Sequence, residues 1–153
     1  MASNRHLGRI IALQTLYEYE FRTQCGDVNV SLDEIRERNL ERYKDTVGDH
    51  KFVSKLIDGV VKDMLNLDGI IQPIAPEWPV SQIARVDRMI LRMSIYELKE
   101  MKDIVPAKVS INEAVELAKA FGSDNSSKFV NGVLGTAYKQ FVGEEHDADA
   151  KPA

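Results

Sequence analysis

The sequence lacks the residue clusters that build several common kinds of site. Cys25 is the only cysteine among 153 residues, which excludes an internal disulfide and a cysteine-based zinc site. Three histidines are present, far apart and without an HExxH or HxxxH spacing: His6, His50 and His146. We therefore predict no metal site, and no feature of the sequence implies a cofactor.

Long apolar segments and catalytic motifs are also missing. No stretch approaches the ~20 apolar residues needed to cross a bilayer, and the N-terminus has no apolar signal-peptide core. A cytoplasmic location is expected. The sequence contains neither a GxxxxGKS/T phosphate loop nor a GxSxG nucleophile turn. We predict that the protein is not an enzyme.

An excess of positive charge, typical of nucleic-acid-binding proteins, is missing as well. The chain has 20 Lys and Arg against 24 Asp and Glu, a formal net charge of -4. Residues 143–153 contain four of the acidic residues and one lysine, so residues 1–142 carry 19 basic and 20 acidic side chains. We expect 143–153 to be a disordered acidic tail. Residues 1–142 are therefore close to neutral, and the local distribution of charge, rather than the net charge, indicates what they bind.

Apolar residues recur with helical spacing along most of the chain. The pattern predicts an all-α protein, a single domain of six or seven helices in two halves. The predicted helices cover about 4–24, 31–43, 49–71, 80–101, 111–121 and 126–141. The predicted apolar stripe on one face of the first helix is Leu7, Ile10, Leu13, Tyr17 and Phe21. Three prolines between positions 73 and 79 predict the break between the halves.

Polar residues and glycines give further local predictions. The segments SLDE at 31–34 and SINE at 110–113 have the form of capping boxes. The polar run SDNSS at 123–127 precedes the last helix. Gly132 and Gly135 lie inside that helix at a cost of roughly 1 kcal/mol each relative to alanine, which predicts a close helix crossing.

Three segments carry the strongest motifs. In chain order they read ALQTLYEYEF at 12–21, VDRMILRMSIYEL at 86–98 and VPAKVSINEAVELAKAFGSDNSSKFVNGVL at 105–134. Together they closely resemble the NusB family of transcription antitermination factors. The resemblance implies two three-helix halves and non-catalytic RNA binding. It also implies three partners: the boxA element of nascent ribosomal RNA, the small-subunit ribosomal protein NusE, and the antitermination complex of RNA polymerase.

Residues near two helix N-termini suit an RNA-binding role. Single-stranded RNA is bound by cations at phosphates, by rings that stack on bases, and by amides and hydroxyls at base edges. With the resemblance, these needs predict RNA contacts for Arg5, His6, Arg9, Asp124, Asn125, Ser126, Ser127, Lys128 and Phe129. The arginines share one helix face, and the later residues surround a helix N-terminus that suits a phosphate. If the two N-termini lie side by side, as the resemblance implies, they form one surface.

The same residues have structural interpretations. Arginines four apart are also common on solvated helix faces, the run 123–127 is also typical of a helix cap, and Phe129 also fits a core position. Relatives often have more arginine in the N-terminal arm, which predicts weaker binding here. Asn125 stands where an aspartate is common, and a neutral amide removes a charge that would repel phosphate.

The protein partner is expected to contact the first and central helices. The resemblance implies a NusE surface at Tyr17, Asp87 and Arg88. Asp87 has a second explanation, since a carboxylate near a helix N-terminus is favoured by the helix dipole. Two other functions stay open: a NusB-like RNA-binding module without antitermination, and a helical adaptor without RNA. The free protein is predicted to be a monomer or a homodimer.

Overall fold

The computed structural model describes residues 2–142, with side chains from residue 5 onward. Within this range the chain forms seven α-helices and one 3₁₀ turn, without strands, which confirms the all-α class. They are α1 (Ala2–Gln24), α2 (Leu32–Arg42), α3 (His50–Lys62), α4 (Met64–Ile74), the 3₁₀ turn (Val80–Gln82), α5 (Arg85–Glu100), α6 (Ala107–Phe121) and α7 (Ser126–Phe141). The predicted tail, 143–153, lies outside the described residues. Within the described range, no helix combines the length and the apolar composition of a transmembrane span.

The chain divides into two compact units, Met1–Asp63 and Met64–Ala153. The first contains α1 to α3 and the second α4 to α7, so the second has four helices rather than the three that the resemblance implied. The boundary falls inside the segment 49–71, for which one continuous helix was the wrong prediction. At Asp63 the backbone leaves helical geometry, with φ -102° and ψ 13°. The buried residues continue across it, and periodicity therefore gave no signal of the break.

Prolines do not mark the boundary between the units. Pro73 lies within α4, which ends at Ile74, so the predicted break at the first proline is wrong. The hydrogen bond that this proline cannot donate falls in the final turn of the helix, where its loss interrupts little. The later prolines, Pro76 and Pro79, lie in the loop that joins α4 to the 3₁₀ turn.

The first unit packs α1 against α2 and α3. The buried face of α1 includes Ile11, Ala12, Leu13, Thr15 and Leu16. This face is rotated from the predicted stripe, of which Leu13 is buried whereas Tyr17 and Phe21 are exposed. The prediction chose the most regular apolar spacing, but the helix buries Thr15 as well, whose hydroxyl accepts a hydrogen bond from the Asn39 amide at 3.0 Å.

Ion pairs join the helices of the first unit at its surface. Glu18 on α1 accepts hydrogen bonds from Arg38 on α2 and from Arg22, the latter at 3.1 Å. The Arg38 guanidinium holds the pKa of Glu18 below its ordinary value, and Arg22 adds to the effect, although burial acts in the opposite direction. Arg22 also lowers the pKa of Asp27, whose carboxylate it contacts at 2.8 Å. These pairs connect α1 to α2 and to the loop between them.

The second unit is built around α5, which packs against α4, α6 and α7. Eleven of its sixteen residues are buried, as predicted for the central helix. Four of the buried residues are charged: Asp87, Arg88, Arg92 and Glu97. Arg92 forms a two-pronged ion pair with Asp68 on α4, with Nε–Oδ1 at 2.7 Å and Nη2–Oδ2 at 2.8 Å. The matched fork geometry makes this the strong form of such a pair.

The predicted helix starts are right in one place and wrong in another. Ser31 caps α2, where its hydroxyl accepts a hydrogen bond from the Glu34 N–H at 3.3 Å. The capping box at 110–113 is wrong, because α6 begins at Ala107, directly after Pro106. Ser110 is buried inside that helix, and its hydroxyl bonds to the hydroxyl of Ser94 on α5 at 3.0 Å. A proline at the helix start replaces the predicted polar cap.

The pair of Arg92 and Asp68 gives a stability prediction. Asp68→Ala leaves a buried guanidinium without its carboxylate, and we expect a loss of about 3 kcal/mol, the lower end for buried pairs, since 26% of the Asp68 side chain stays exposed. Thermal and urea unfolding should both show the loss. Asp45→Ala, at an exposed position, is the control and should change stability by less than about 0.5 kcal/mol. Equal unfolding curves for both variants would contradict the assigned role of the pair.

Candidate nucleic-acid interface

The start of α1 places two arginines over one aromatic ring of α3. The Cζ atoms of Arg5 and Arg9 lie 5.1 and 5.0 Å from the ring centroid of Phe52, within range of a cation–π interaction. Asp49 caps α3 by accepting a hydrogen bond from the Phe52 N–H at 2.9 Å. Its other carboxylate oxygen lies 3.5 Å from Nη2 of Arg5. This arrangement fixes the two guanidinium groups.

The predicted contacts in this cluster differ in their access to solvent. Arg9 is 2% exposed, whereas the Arg5 side chain keeps 30% of its exposure and His6 is half-buried. A guanidinium that is buried against a ring contributes to packing and is poorly placed to contact a phosphate. Direct RNA contact by Arg9 stays a prediction. The burial of its side chain does not favour such a contact. Arg5 and His6 are the members of the cluster that reach solvent.

Gly8 leaves no room for a side chain at its own position in the N-terminal arm. A Cβ at this position would lie 2.9 Å from Cγ2 of Val53 and 3.7 Å from the Phe52 ring. The glycine thus allows α1 and α3 to approach closely. An arginine at position 8 would separate the two helices, so packing restricts the positive charge available here.

The loop before α7 is held from inside by Ser126. This residue is 2% exposed, and its hydroxyl accepts a hydrogen bond from the Ser123 N–H at 2.9 Å. A Cβ at Gly122 would lie 2.4 Å from the same hydroxyl, so only glycine lets the loop close over it. The structure gives Ser126 a positioning role, and direct RNA contact by it stays a prediction.

The other predicted residues of this loop lie at the surface. Asp124, Asn125 and Lys128 are exposed, and Ser127 is half-buried. Asn125 occupies the N-cap position without making a side-chain capping bond. In the described part of the chain, the backbone N–H groups of Ser127 and Lys128 have no hydrogen-bond acceptor. Such groups point out of a helix N-terminus and suit an anion, here a phosphate.

Phe129 lies at the edge of a cleft in the second unit. The ring is half-buried and lines a cleft of about 250 Å³ together with Trp78, Lys128 and Gly132. Trp78 is 60% exposed. The signal that marks it is a lone tryptophan between two prolines in a loop.

The glycines of α7 do not form the predicted helix crossing. A Cβ at Gly132 or at Gly135 would meet no atom within 4 Å. Gly132 borders the cleft beside Trp78, and Gly135 borders a different cleft beside Tyr138. Both glycines therefore leave surface clefts open rather than bringing two helices together.

The predicted partner residue Tyr17 forms an exposed aromatic pair. Its ring is stacked on that of Phe21, with centroids 6.5 Å apart and an angle of 7° between the planes. The two residues are 36% and 47% exposed. Two large rings together on an outer helix face are typical of a protein-binding patch. Phe21 was predicted only as part of the apolar face of α1 and not as a surface residue.

The other two predicted partner residues lie at the start of α5 and are buried. Asp87 is 8% exposed, and in the described part of the chain its Oδ1 atom accepts no hydrogen bond. Arg88 is 6% exposed, and its Nη1 donates to the carbonyl oxygen of Ile83 at 2.9 Å and to that of Ser81 at 3.1 Å. Arg88 thus holds the 3₁₀ turn, and its contact with a partner stays a prediction.

The predicted RNA residues belong to both units. Arg5, His6 and Arg9 lie in the first unit, whereas residues 124–129 lie in the second. Within each unit, the structure brings the predicted residues together around one helix N-terminus. Their union into one surface stays a prediction.

Comparison with known proteins gives consistent matches. A model of the NusB family matches residues 6–139. The transcription antitermination protein NusB of Chloroflexus aggregans is 42% identical over 145 residues, which cover 94% of this chain and 93% of that protein. The protein of the same name from Roseiflexus castenholzii is 44% identical over 142 residues, 92% of this chain and 96% of that protein.

Solved structures match over a similar range. NusB of T. maritima has 32% sequence identity and a TM-score of 0.78, covering 92% of this chain and 94% of that chain. A crystal structure of the antitermination factors NusB and NusE in complex with double-stranded RNA contains a chain with 27% identity and a TM-score of 0.77. That match covers 92% of this chain and 100% of the matched chain.

The arginine cluster predicts that two neighbouring variants differ in stability. Arg9→Ala removes a buried cation–π contact and its packing, and should lower the free energy of unfolding by about 2 kcal/mol. Arg5→Ala removes a partly exposed pair with Asp49 and a solvent-accessible cation–π contact with Phe52, and should cost about 1 kcal/mol or less. Urea unfolding followed by circular dichroism measures both. Equal losses, or a larger loss for Arg5→Ala, would show that Arg9 is not the packed member.

Proposed function

The chain belongs to the NusB family, and we propose that it is a transcription antitermination factor that binds boxA-type RNA in nascent ribosomal transcripts together with NusE. The observation that carries this function is the N-terminus of α7. Two backbone N–H groups without acceptors in the described residues lie there beside the exposed Lys128. They belong to the segment 105–134, which most closely resembles the family signature.

The site is suited to binding rather than to catalysis. Its groups are backbone N–H donors, exposed polar side chains and cations, which bind phosphates and base edges without making or breaking bonds. The proposed role therefore uses no catalytic residue and no cofactor. The protein holds RNA and NusE near RNA polymerase as part of the antitermination complex, which implies a cytoplasmic location.

The charge distribution supports binding with a partner. Few cations are available: Arg5 pairs with Asp49, Arg9 is buried, and Lys128 is exposed at the start of α7. Because phosphate contacts dominate RNA affinity, so few cations give weak binding by this chain alone. NusE would supply the additional contacts. A related structure that contains NusB, NusE and double-stranded RNA supports this combination of partners.

Two features support a NusE surface on this chain. The exposed Tyr17 and Phe21 rings offer an apolar patch on α1. On α5, the Oδ1 atom of Asp87 accepts no hydrogen bond within the described residues. A buried carboxylate oxygen without a donor is costly, and a donor from NusE would relieve that cost. We propose that both features contact NusE.

The RNA-binding function is tested with a boxA-type RNA in the presence and absence of NusE. We expect the mixture of both proteins to bind more tightly than either alone, because phosphate contacts add. Lys128→Ala should weaken binding and reduce the slope of log affinity against log salt by about 0.7, the value for one phosphate on a single strand. Lys139→Ala, an exposed lysine at the other end of α7, is the control. If a scrambled RNA binds as tightly as the boxA-type RNA, the protein is an RNA-binding module without boxA specificity. If neither RNA binds, the result favours a helical adaptor without an RNA role.

The partner surface is tested by a nearly isosteric change at Asp87. Asp87→Asn keeps the side-chain shape and removes the charge, so the protein should stay folded and bind NusE about 10- to 100-fold more weakly, the effect of losing a charged hydrogen bond. Calorimetric titration with NusE measures it. Asp103→Asn, at an exposed position, is the control. Unchanged NusE affinity for Asp87→Asn would remove this residue from the interface.

A further inference from the structure

We propose that the cleft beside Trp78 binds one unpaired base of the RNA, with preference for a base that carries an exocyclic amino group. This inference rests on the proposed RNA-binding function and adds a base-reading subsite to it. The cleft lies within the second unit, between the loop that follows α4 and the first turns of α7. Its volume, about 250 Å³, is below the roughly 300–1,000 Å³ of sites for drug-sized ligands. A single planar base is a ligand of suitable size.

Trp78 has the properties of a stacking platform. It is 60% exposed, and its indole N–H donates to no residue in the described part of the chain. Large aromatic side chains bury much apolar area when a partner covers them. Bases stack on such rings in proteins that bind single strands. The ring is therefore available to a ligand that is both flat and polar at its edges.

The loop that carries Trp78 is held in place. The Gln72 side-chain amide donates to the Trp78 carbonyl at 2.9 Å, and its oxygen accepts from the Val80 N–H at 2.9 Å. Pro76 and Pro79 on either side of the tryptophan restrict the backbone further. Little conformational freedom remains to be lost when a ligand binds, which favours affinity.

The cleft is continuous with the phosphate site proposed at α7. Lys128 belongs to both, since it lies in the first turn of α7 and lines the cleft. Phe129, the next residue, contributes a second ring. A phosphate bound at the helix N-terminus would leave its own base, or a neighbouring one, beside Trp78. This continuity favours RNA over a peptide as the occupant.

Glu77 gives the cleft a chemical preference. Glu77 is exposed and is one of the residues that line the cleft beside Trp78. An ionised carboxylate only accepts hydrogen bonds, so it favours bases that present an exocyclic amino group, which are cytosine, adenine and guanine. Uracil presents carbonyl oxygens at the corresponding positions, and these would be repelled. We therefore expect adenine, cytosine and guanine to bind better than uracil.

The experiment uses the fact that Trp78 is the only tryptophan of the chain. Short single-stranded RNAs of adenylate, cytidylate or uridylate are titrated into the full-length protein while its tryptophan fluorescence is recorded. We expect saturable quenching by adenylate and cytidylate, with weaker binding of uridylate. Glu77→Gln should reduce the difference between the RNAs.

Two variants test the cleft itself by gel shift with a boxA-type RNA and NusE. Trp78→Ala removes the platform, and Gly132→Leu fills the cleft from α7, where a Cβ meets no atom within 4 Å. Each should weaken RNA binding roughly 5- to 150-fold, the effect of losing one stacked base. Gly135→Leu is the matched control, because it adds the same side chain to the same helix but at the other cleft. It should leave RNA affinity unchanged.

The outcomes separate this inference from the proposed function. If the wild-type protein binds boxA-type RNA and both variants bind it equally well, the base subsite is wrong and the RNA-binding function stands. If Trp78→Ala and Gly132→Leu weaken NusE binding but not RNA binding, the cleft is a protein contact and the inference is also overturned. If the wild-type protein with NusE binds no RNA, the proposed function fails together with the subsite.

Discussion

The buried charge of Arg92 is the constraint on which the second unit depends. A guanidinium inside a protein must be paired and hydrogen-bonded, because its desolvation is costly. Asp68 meets this need from α4 and thereby fixes α4 against α5. One turn earlier, Arg88 donates hydrogen bonds to the carbonyl oxygens of Ser81 in the 3₁₀ turn and of Ile83 directly after it, and so sets the end of the proline-containing loop. The charges of the central helix thus position the loop that carries Trp78, while its apolar residues fill the core.

Sequence periodicity predicted the helices well where burial and helix limits coincide. The last helix was predicted at 126–141 and is observed there, because a polar loop precedes it and its apolar face is regular. The break at Asp63 left no trace in the pattern, since buried residues continue on both sides. The face of α1 was also missed. Its regular apolar stripe ends in Tyr17 and Phe21, which are exposed, and no rule of spacing separates a core ring from a binding ring.

The candidate site could be predicted in composition but not in burial. The order of residues in 123–129 indicated a helix N-terminus suited to phosphate, and the structure has such an N-terminus with N–H groups that lack acceptors in the described range. The burial of Arg9 depends on Phe52, more than 40 residues away in the chain, and the burial of Ser126 depends on the absence of a Cβ at Gly122. The spacing of residues along a single helix carries no information about such tertiary contacts.

Gly8 has a consequence for regulation. Because α3 occupies the space that a side chain would need, the cations of the N-terminal arm cannot be increased at this position without loss of packing. Under the proposed function, this restriction keeps the RNA affinity of the protein low when it acts alone. Under the proposed function, a complex forms in useful amounts only where RNA and the second protein are present together. The absence of a side chain at position 8 would then make binding depend on the RNA and the second protein at the same time. Transcripts on which only one of them is present would be little occupied.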